Sequence, residues 1–228
     1  MSQYELIGTR FVLPSPAGAY YATSSNQEEV SRGLLLALMT QASSQKISAD
    51  TLSTWLESDD LETSLALLHK IQQLGWLRPN DGQTSAPTGS LEEIIPPLLA
   101  VLCDTGKSLL ADHQGFTLAA HGFTHEAAEE LSALSADLIA LRVRHGSLLT
   151  KNLKLNTQSV GLIDAAGNSQ LGFWPLHIGK HCFTLVMRGI PRFNQASFTN
   201  LIWLLTNRYG SSDSVAKSSI YNMFYAAK

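Results

Sequence analysis

Apolar positions along this chain fall into helical and strand-like periods, punctuated by glycine, proline and short polar clusters. Residues 4–23 alternate loosely and are broken by Pro14, Pro16 and Gly18. That pattern predicts two short strands, Phe11-Val12-Leu13 and Tyr20-Tyr21, around a turn. Ser24-Ser25-Asn26 then offers a cap, Glu28 and Glu29 stand where a helix start favours acids, and Val30, Leu34, Leu38 and Met39 recur at helical spacing. A first helix is expected to run to about Gln41. Ser48 caps a second helix containing Leu52, Trp55 and Leu56. After the polar break Ser58-Asp59-Asp60, a third helix places Leu61, Leu65, Leu68, Ile71 and Leu74 on one face and ends at Gly75. Trp76-Leu77 opens an extended segment.

The stretch PNDGQTSAPTG over 79–89 marks a boundary by composition. It divides the chain into a first domain of residues 1–80, a linker of 81–89, a second domain of 90–210 and a tail of 211–228. Ser90 and Glu93 match a capping box, and Pro96-Pro97 should distort the helix that begins near residue 91. A short run, Leu109 to Ala111, meets a turn at His113-Gln114-Gly115, and Phe116 to Ala120 returns from it. A long helix follows from His125 to about Arg144. Three strand-like segments come next: Val160 to Asp164, Gln170 to Leu176 and His181 to Arg188. Asn194 is expected to cap a last helix carrying Phe198, Leu201, Ile202 and Leu205, with Trp203 and Leu204 on its other sides. In the Ser-rich tail, Val215, Ser219, Met223 and Phe224 fit a short amphipathic helix.

The long helix carries two stripes. Leu131, Leu134, Leu138 and Leu141 form a bulky one, expected to cover a sheet. Ala133, Ala136, Ala140 and Val143 form a second, displaced around the axis. Small residues let another backbone come close, which suits a contact between helices; alanine's high helix propensity accounts for the same pattern without one. On the contact reading these four residues are the interface of a homodimer.

Composition narrows the class. The chain has 228 residues, 44% hydrophobic and 15% charged, with net charge −3. These values describe a globular protein rather than one specialised for nucleic acid or an anionic membrane. Residues 1–85 hold five basic residues against nine acids, a balance of −4, and three of the acids, Asp59, Asp60 and Glu62, sit at the start of the third helix. A DNA-reading helix needs cations there. Two cysteines, Cys103 and Cys182, make no disulfide framework and fit a reducing compartment. The start lacks a signal-peptide pattern, and runs such as Gly33 to Met39 are too short for a membrane span. A cytoplasmic location is the expectation.

No motif for catalysis emerges. Thr105-Gly106-Lys107-Ser108 has the end of a phosphate-binding loop, but the required upstream glycine is Val101, and the order is helix then strand. His121 with His125, and His177 with His181 and Cys182, span turns rather than one helical face, so no metal site and no cofactor is expected. No Gly-x-Ser-x-Gly elbow is present. The one basic cluster is Arg142, Arg144, Lys151 and Lys154. It either complements a helix C-terminus or docks an acidic partner.

Two resemblances follow from these elements. Three helices with a short turn and a following strand resemble a winged helix-turn-helix, on Ile47-Ser48-Ala49-Asp50-Thr51-Leu52 and Leu67 to Leu77. From residue 91 to 209 the order helix, two strands, helix, three strands, helix resembles the roadblock family of dynein light chain type. The residues that carry it are Leu109-Leu110-Ala111-Asp112-His113-Gln114-Gly115-Phe116, Glu126-Ala127-Ala128-Glu129-Glu130-Leu131, Val160 to Asp164 and Phe183 to Met187. The fold expected is α+β: an N-terminal winged helix, then a roadblock/profilin-like α-β-β-α-β-β-β-α domain with a five-stranded antiparallel sheet. The resemblance implies pairing through the long helix and an adjacent sheet edge, and a small Ras-like GTPase or a larger assembly as partner. The function expected is non-enzymatic: a regulator or scaffold. Two alternatives stay open, a DNA-binding transcription regulator using the winged helix and a small-ligand sensor.

Overall fold

The computed structural model describes residues 4–6 and 10–210. The N-terminal part runs β1 (Phe11–Pro14), α1 (Pro16–Thr23), α2 (Val30–Met39), β2 (Gln45–Lys46), α3 (Ala49–Leu56), α4 (Leu61–Gln73) and β3 (Leu77–Asn80). Tyr20 and Tyr21 lie in α1, not in the expected strand. The cause is local: Ser15 Oγ accepts from the Gly18 amide at 3.1 Å, and Pro16 occupies the first turn, where its missing N–H costs nothing. Ser24 closes α1 rather than capping the next helix, and α2 starts at Val30 without a side-chain cap. The cap at Ser48 is as read. Ser48 Oγ accepts from the Thr51 amide, and Thr51 Oγ1 accepts in return from the Ser48 amide. Asp60 caps α4 through Thr63.

β1 is central in a three-stranded antiparallel sheet of order β2-β1-β3. The partner of β3 thus comes from before the helices, and no hairpin wing follows α4. Gly18 makes this arrangement close. A Cβ there would lie 2.1 Å from the Trp76 carbonyl oxygen, while Ser15 bonds to both the Trp76 and Gly75 carbonyls. Tyr21 stacks on Trp76 at 3.8 Å between centroids.

The expected linker is anchored. The Ser44 amide donates to the Thr84 carbonyl and the Ala86 amide to the Ala42 carbonyl, and Ala86 is buried. Beyond it lie α5 (Leu91–Leu99), β4 (Ser108–Ala111), β5 (Thr117–His121), α6 (His125–Gly146), a π-helical turn Ser147–Asn152, β6 (Val160–Ile163), β7 (Ser169–Ile178), β8 (His181–Arg188) and α7 (Ala196–Tyr209). Ser90 precedes α5 without a side-chain cap bond, so the expected capping box is not formed; its carbonyl accepts instead from Glu93 and Ile94. α5 runs through both prolines. The carbonyls they leave without partners belong to Glu92 and Glu93, which are exposed to water. Gln195, not Asn194, precedes α7.

Five antiparallel strands form a sheet of order β5-β4-β8-β7-β6. α5 and α7 pack on one face and α6 on the other. Strand alternation divides the core accordingly. Leu110, Leu185, Met187 and Leu176 join α7, whose Trp203, Phe198 and Leu201 are buried. That core continues into α1 and α2, where Trp203 Nε1 donates to the Gln41 carbonyl at 2.8 Å and Asn207 to the Met39 carbonyl at 3.0 Å. Leu109, Ala111, Val186 and Phe173 face α6.

Candidate assembly surface

α6 meets the sheet through small side chains. Ala128, Ser132 and Ser135 are its buried residues. Ser132 Oγ pairs with Thr117 Oγ1 at 2.7 Å, Thr117 Oγ1 also donates to the Ala128 carbonyl, and Ser135 Oγ donates to the Ser132 carbonyl. Those back-bonds satisfy the hydroxyls without widening the contact. The expectation that all four leucines would cover the sheet is corrected here. Leu131 and Leu138 are half-buried against the cluster of Leu109, Ala111, Phe173 and Val186, while Leu134 and Leu141 are 39% and 49% exposed. The steric reason lies at Gly115 in the β4–β5 turn. With φ of +88°, it comes so near that a Cβ would sit 3.1 Å from the Ala133 Cα and the Ser132 carbonyl oxygen. The helix therefore lies over β4, β5 and β8 and leans its alanine flank toward that turn.

The residues of the alanine stripe divide. Ala136 is half-buried beside Gly115, whereas Ala133, Ala140 and Val143 are exposed, Val143 at 77%. The leucine flank lies on the other side of the helix, with Leu131 and Leu134 beside Phe123, Lys107 and Arg188. Val160 and Leu162 share the α6 side with Phe173 and Leu171 by register, and Leu162 is 57% exposed. β6 is an edge strand. A hollow of about 460 Å³ lies beside the start of α6, lined by Phe123, Ala127, Leu131 and Leu134 with Lys107, Arg188 and Glu130.

The basic cluster sits at the end of α6 and in the π-helical turn. Arg144, Lys151 and Lys154 are exposed, and among the described residues none of them makes an ion pair. Arg142 is half-buried, and burial lowers its pKa. Lys154 adopts a left-handed φ of +56°. Exposed Leu148, Leu153 and Leu155 intersperse these cations.

The histidines take structural posts. His121 Nδ1 bonds to the Gly106 carbonyl at 2.7 Å, and His125 pairs with Glu129 one turn on. His177 Nε2 meets Gln158 Oε1 at 2.7 Å. Burial pushes its pKa down to about 4, and the charges of Arg32 and Arg142 push the same way. Cys182 is pushed up to about 11 by burial, which keeps it a thiol. Lys107 stands where helix passes to strand, its carbonyl accepting from the Arg188 amide. Among the described residues no three His, Cys, Asp or Glu side chains group as metal ligands would, and no helix is long and apolar enough to cross a membrane.

Sequence reasoning placed the helix and both stripes but not their orientation. The missed residues are Ser132 and Ser135. Their spacing with Ala128 and Ile139 marks a face, yet an alternation of serine and alanine carries little hydrophobic contrast.

No family model matches the chain, and no curated protein matches it. Solved structures do match, over about half of its length. A Roadblock/LC7 domain from Streptomyces avermitilis shares 14% identity over 51% of this chain and 92% of its own, with a TM-score of 0.32. The gliding protein MglB of Thermus thermophilus shares 18% over 55% and 94%, with a TM-score of 0.33. MglB of Myxococcus xanthus shares 16% over 54% and 90%, with a TM-score of 0.29. The chain is a mixed α+β protein with antiparallel sheets and roadblock-like structural neighbours.

Proposed function

We propose that this chain is a non-enzymatic regulatory or scaffold protein that forms a homodimer through the leucine flank of α6 and the β6 edge. The observation that carries the reading is the exposed apolar side of α6, Leu134 and Leu141, together with the exposed Leu162 on the edge strand β6. Contiguous apolar surface of this kind is a feature of interaction sites, and an unpaired strand edge offers backbone groups to a second chain. A C2 pairing presents the same surface twice, so self-complementarity is its requirement. Ala133, Ala140 and Val143 then remain on the opposite flank.

In this reading the partner is a protein. The resemblance of residues 91–209 to the roadblock family implies a small Ras-like GTPase or a larger assembly. Lys151 and Lys154, set among Leu148, Leu153 and Leu155, suit an acidic surface on it. The N-terminal helices and three-stranded sheet serve as a module for protein contact, since Asp59, Asp60 and Glu62 at the start of α4 oppose a phosphate backbone. Sedimentation velocity across a concentration series tests the dimer, and a mass that stays monomeric at every concentration removes it. Affinity capture followed by GTP-turnover assays on any captured GTPase tests the partner class; no captured GTPase and no change in turnover would count against it.

A further inference from the structure

A hollow of about 600 Å³ opens where the N-terminal module meets the loop that leads into α7. Pro16 and Tyr20 of α1, with Arg78 of β3, line one side, and Phe193 and Asn194 line the other. The lining is chiefly apolar. Tyr20 and Phe193 lie 5.2 Å apart between ring centroids, and Phe193 meets Trp174 edge-on at 5.3 Å and Phe198 at 5.0 Å. Both sides are fixed by bonds between distant segments. Ser15 Oγ donates to the Gly75 carbonyl at 2.7 Å, and the Ser15 amide donates to the Trp76 carbonyl at 2.8 Å. In the opposite loop the Ile190 amide donates to Asp104 Oδ1 at 2.8 Å, and the Arg192 amide to the Leu102 carbonyl at 2.7 Å. The shape is thus held before any ligand arrives. Among the described residues that line it, Arg78 alone is charged. It is exposed, and among the described residues its guanidinium makes no ion pair or hydrogen bond.

From this combination we infer that the hollow binds a small planar aromatic carboxylate. Its volume falls within the range of about 300–1,000 Å³ that small-molecule sites occupy. The ligand's ring packs against Tyr20 and Phe193, whose own geometry shows the tilted contacts that aromatic rings favour. Its carboxylate meets Arg78, because a planar guanidinium matches a carboxylate through two parallel hydrogen bonds. Asn194 adds a donor. Its Oδ1 accepts from Gln195 Nε2 at 3.3 Å, which leaves Nδ2 for the ligand. A cationic ligand is repelled by Arg78 and finds no carboxylate in the lining, and a polyphosphate finds one cation where it needs several. None of the lining comes from α6, so the inference goes beyond the homodimer reading and does not depend on it. Because the two sides come from the N-terminal module and from the approach to α7, an occupied hollow ties those parts together and stabilises their junction.

The test is isothermal titration calorimetry on the full chain with naphthoate and its neutral amide, naphthamide, as probes. Naphthoate binds about tenfold more tightly than naphthamide, the difference expected of one charge-assisted pair. Arg78→Met removes the charge and keeps the apolar stem. It brings naphthoate down to the affinity of naphthamide and leaves naphthamide within about twofold of its value on the unmodified chain. Phe193→Leu removes a ring and weakens both probes alike, about fivefold. Naphthoate also raises the melting temperature of the unmodified chain, and raises that of Arg78→Met less. Melting without probe checks that each variant is folded; Arg78 is exposed, so its variant decides the matter even where Phe193→Leu fails to fold. No naphthoate binding up to about 5 mM, equal affinity for the two probes, or a carboxylate preference that survives Arg78→Met overturns the site.

Discussion

Truncating Leu134 and Leu141 together to alanine separates the two flanks of α6. Fully burying a leucine is worth about 1.5–3 kcal/mol. With 39% and 49% of these side chains still exposed, completing their burial contributes roughly 1 kcal/mol each. A symmetric dimer buries four of them, about 4 kcal/mol in all, and alanine retains the Cβ share. The loss is then about 3 kcal/mol, a Kd increase of roughly a hundredfold. The monomer loses the portion already packed, about 1 kcal/mol per leucine, so the chain stays folded. The comparison is Ala133→Glu with Ala140→Glu, on the flank that leans toward Gly115. These exposed changes leave Kd within about threefold if the leucine flank is the interface. Sedimentation velocity over a dilution series reads both, with circular dichroism confirming helix content. A dimer that survives the leucine truncations but breaks with the glutamates would refute the orientation argued here and return the interface to the alanine stripe.

Further expectations follow from particular contacts. Thr184 Oγ1 is buried on the α6 side of β8 with no hydrogen-bond partner; Thr184→Val should stabilise the fold by about 1 kcal/mol in urea unfolding, and a loss of stability would mean the hydroxyl is satisfied. Gly18→Ala drives a methyl into the Trp76 carbonyl and should cost about 3 kcal/mol, read as a lower melting temperature. His177, held at about 4 against an unperturbed 6.5, is neutral when folded and takes up a proton on unfolding below about pH 6.5. Its contribution is present above that value and is lost as pH falls toward 4, about 2 kcal/mol by pH 5; His177→Gln should flatten that part of the pH–stability curve, and an unchanged curve would assign it elsewhere. In a gel shift, the excess of acids at the start of α4 should leave no salt-sensitive complex with duplex DNA, and a strong complex at low salt would revive the DNA-reading alternative.

Much of the fold was legible because its elements carry strong local signals. Ser48, Asp60 and Gly75 bound α3 and α4 through chemistry that acts within a few residues. The β4–β5 hairpin and the edges of α6 are likewise marked by Gly115 and Gly122. The errors arose where distant partners decide. Tyr20 and Tyr21 read as strand by their β propensity, but Ser15 and Pro16 start a helix that Trp76, sixty residues on, holds in place. Residues 81–89 have a linker's composition, yet residues 42–44 bind their backbone. The orientation of α6 depends on Gly115 meeting Ala133, a contact that no periodicity within the helix encodes.

The geometry of the sheet explains why α6 presents its leucines sideways. Five strands at about 4.8 Å spacing make a face roughly 19 Å wide. A helix with its side chains is about 10 Å across, so one helix covers about half of that face. The opposite face has two helices, α5 and α7, and its core is complete. On the α6 face, Phe173 and Pro175 of β7 are buried, and exposure is greatest at the edge strand, where Leu162 is 57% exposed. Ser132 and Ser135 sharpen the deficit, because small side chains draw α6 down close to β4 and β8 rather than spreading it over β7. Leu134 and Leu141 on α6 and Leu162 on the edge strand β6 stay exposed. On the proposed homodimer, α6 of a second copy covers these leucines, and a two-fold axis repeats the contact on the other chain.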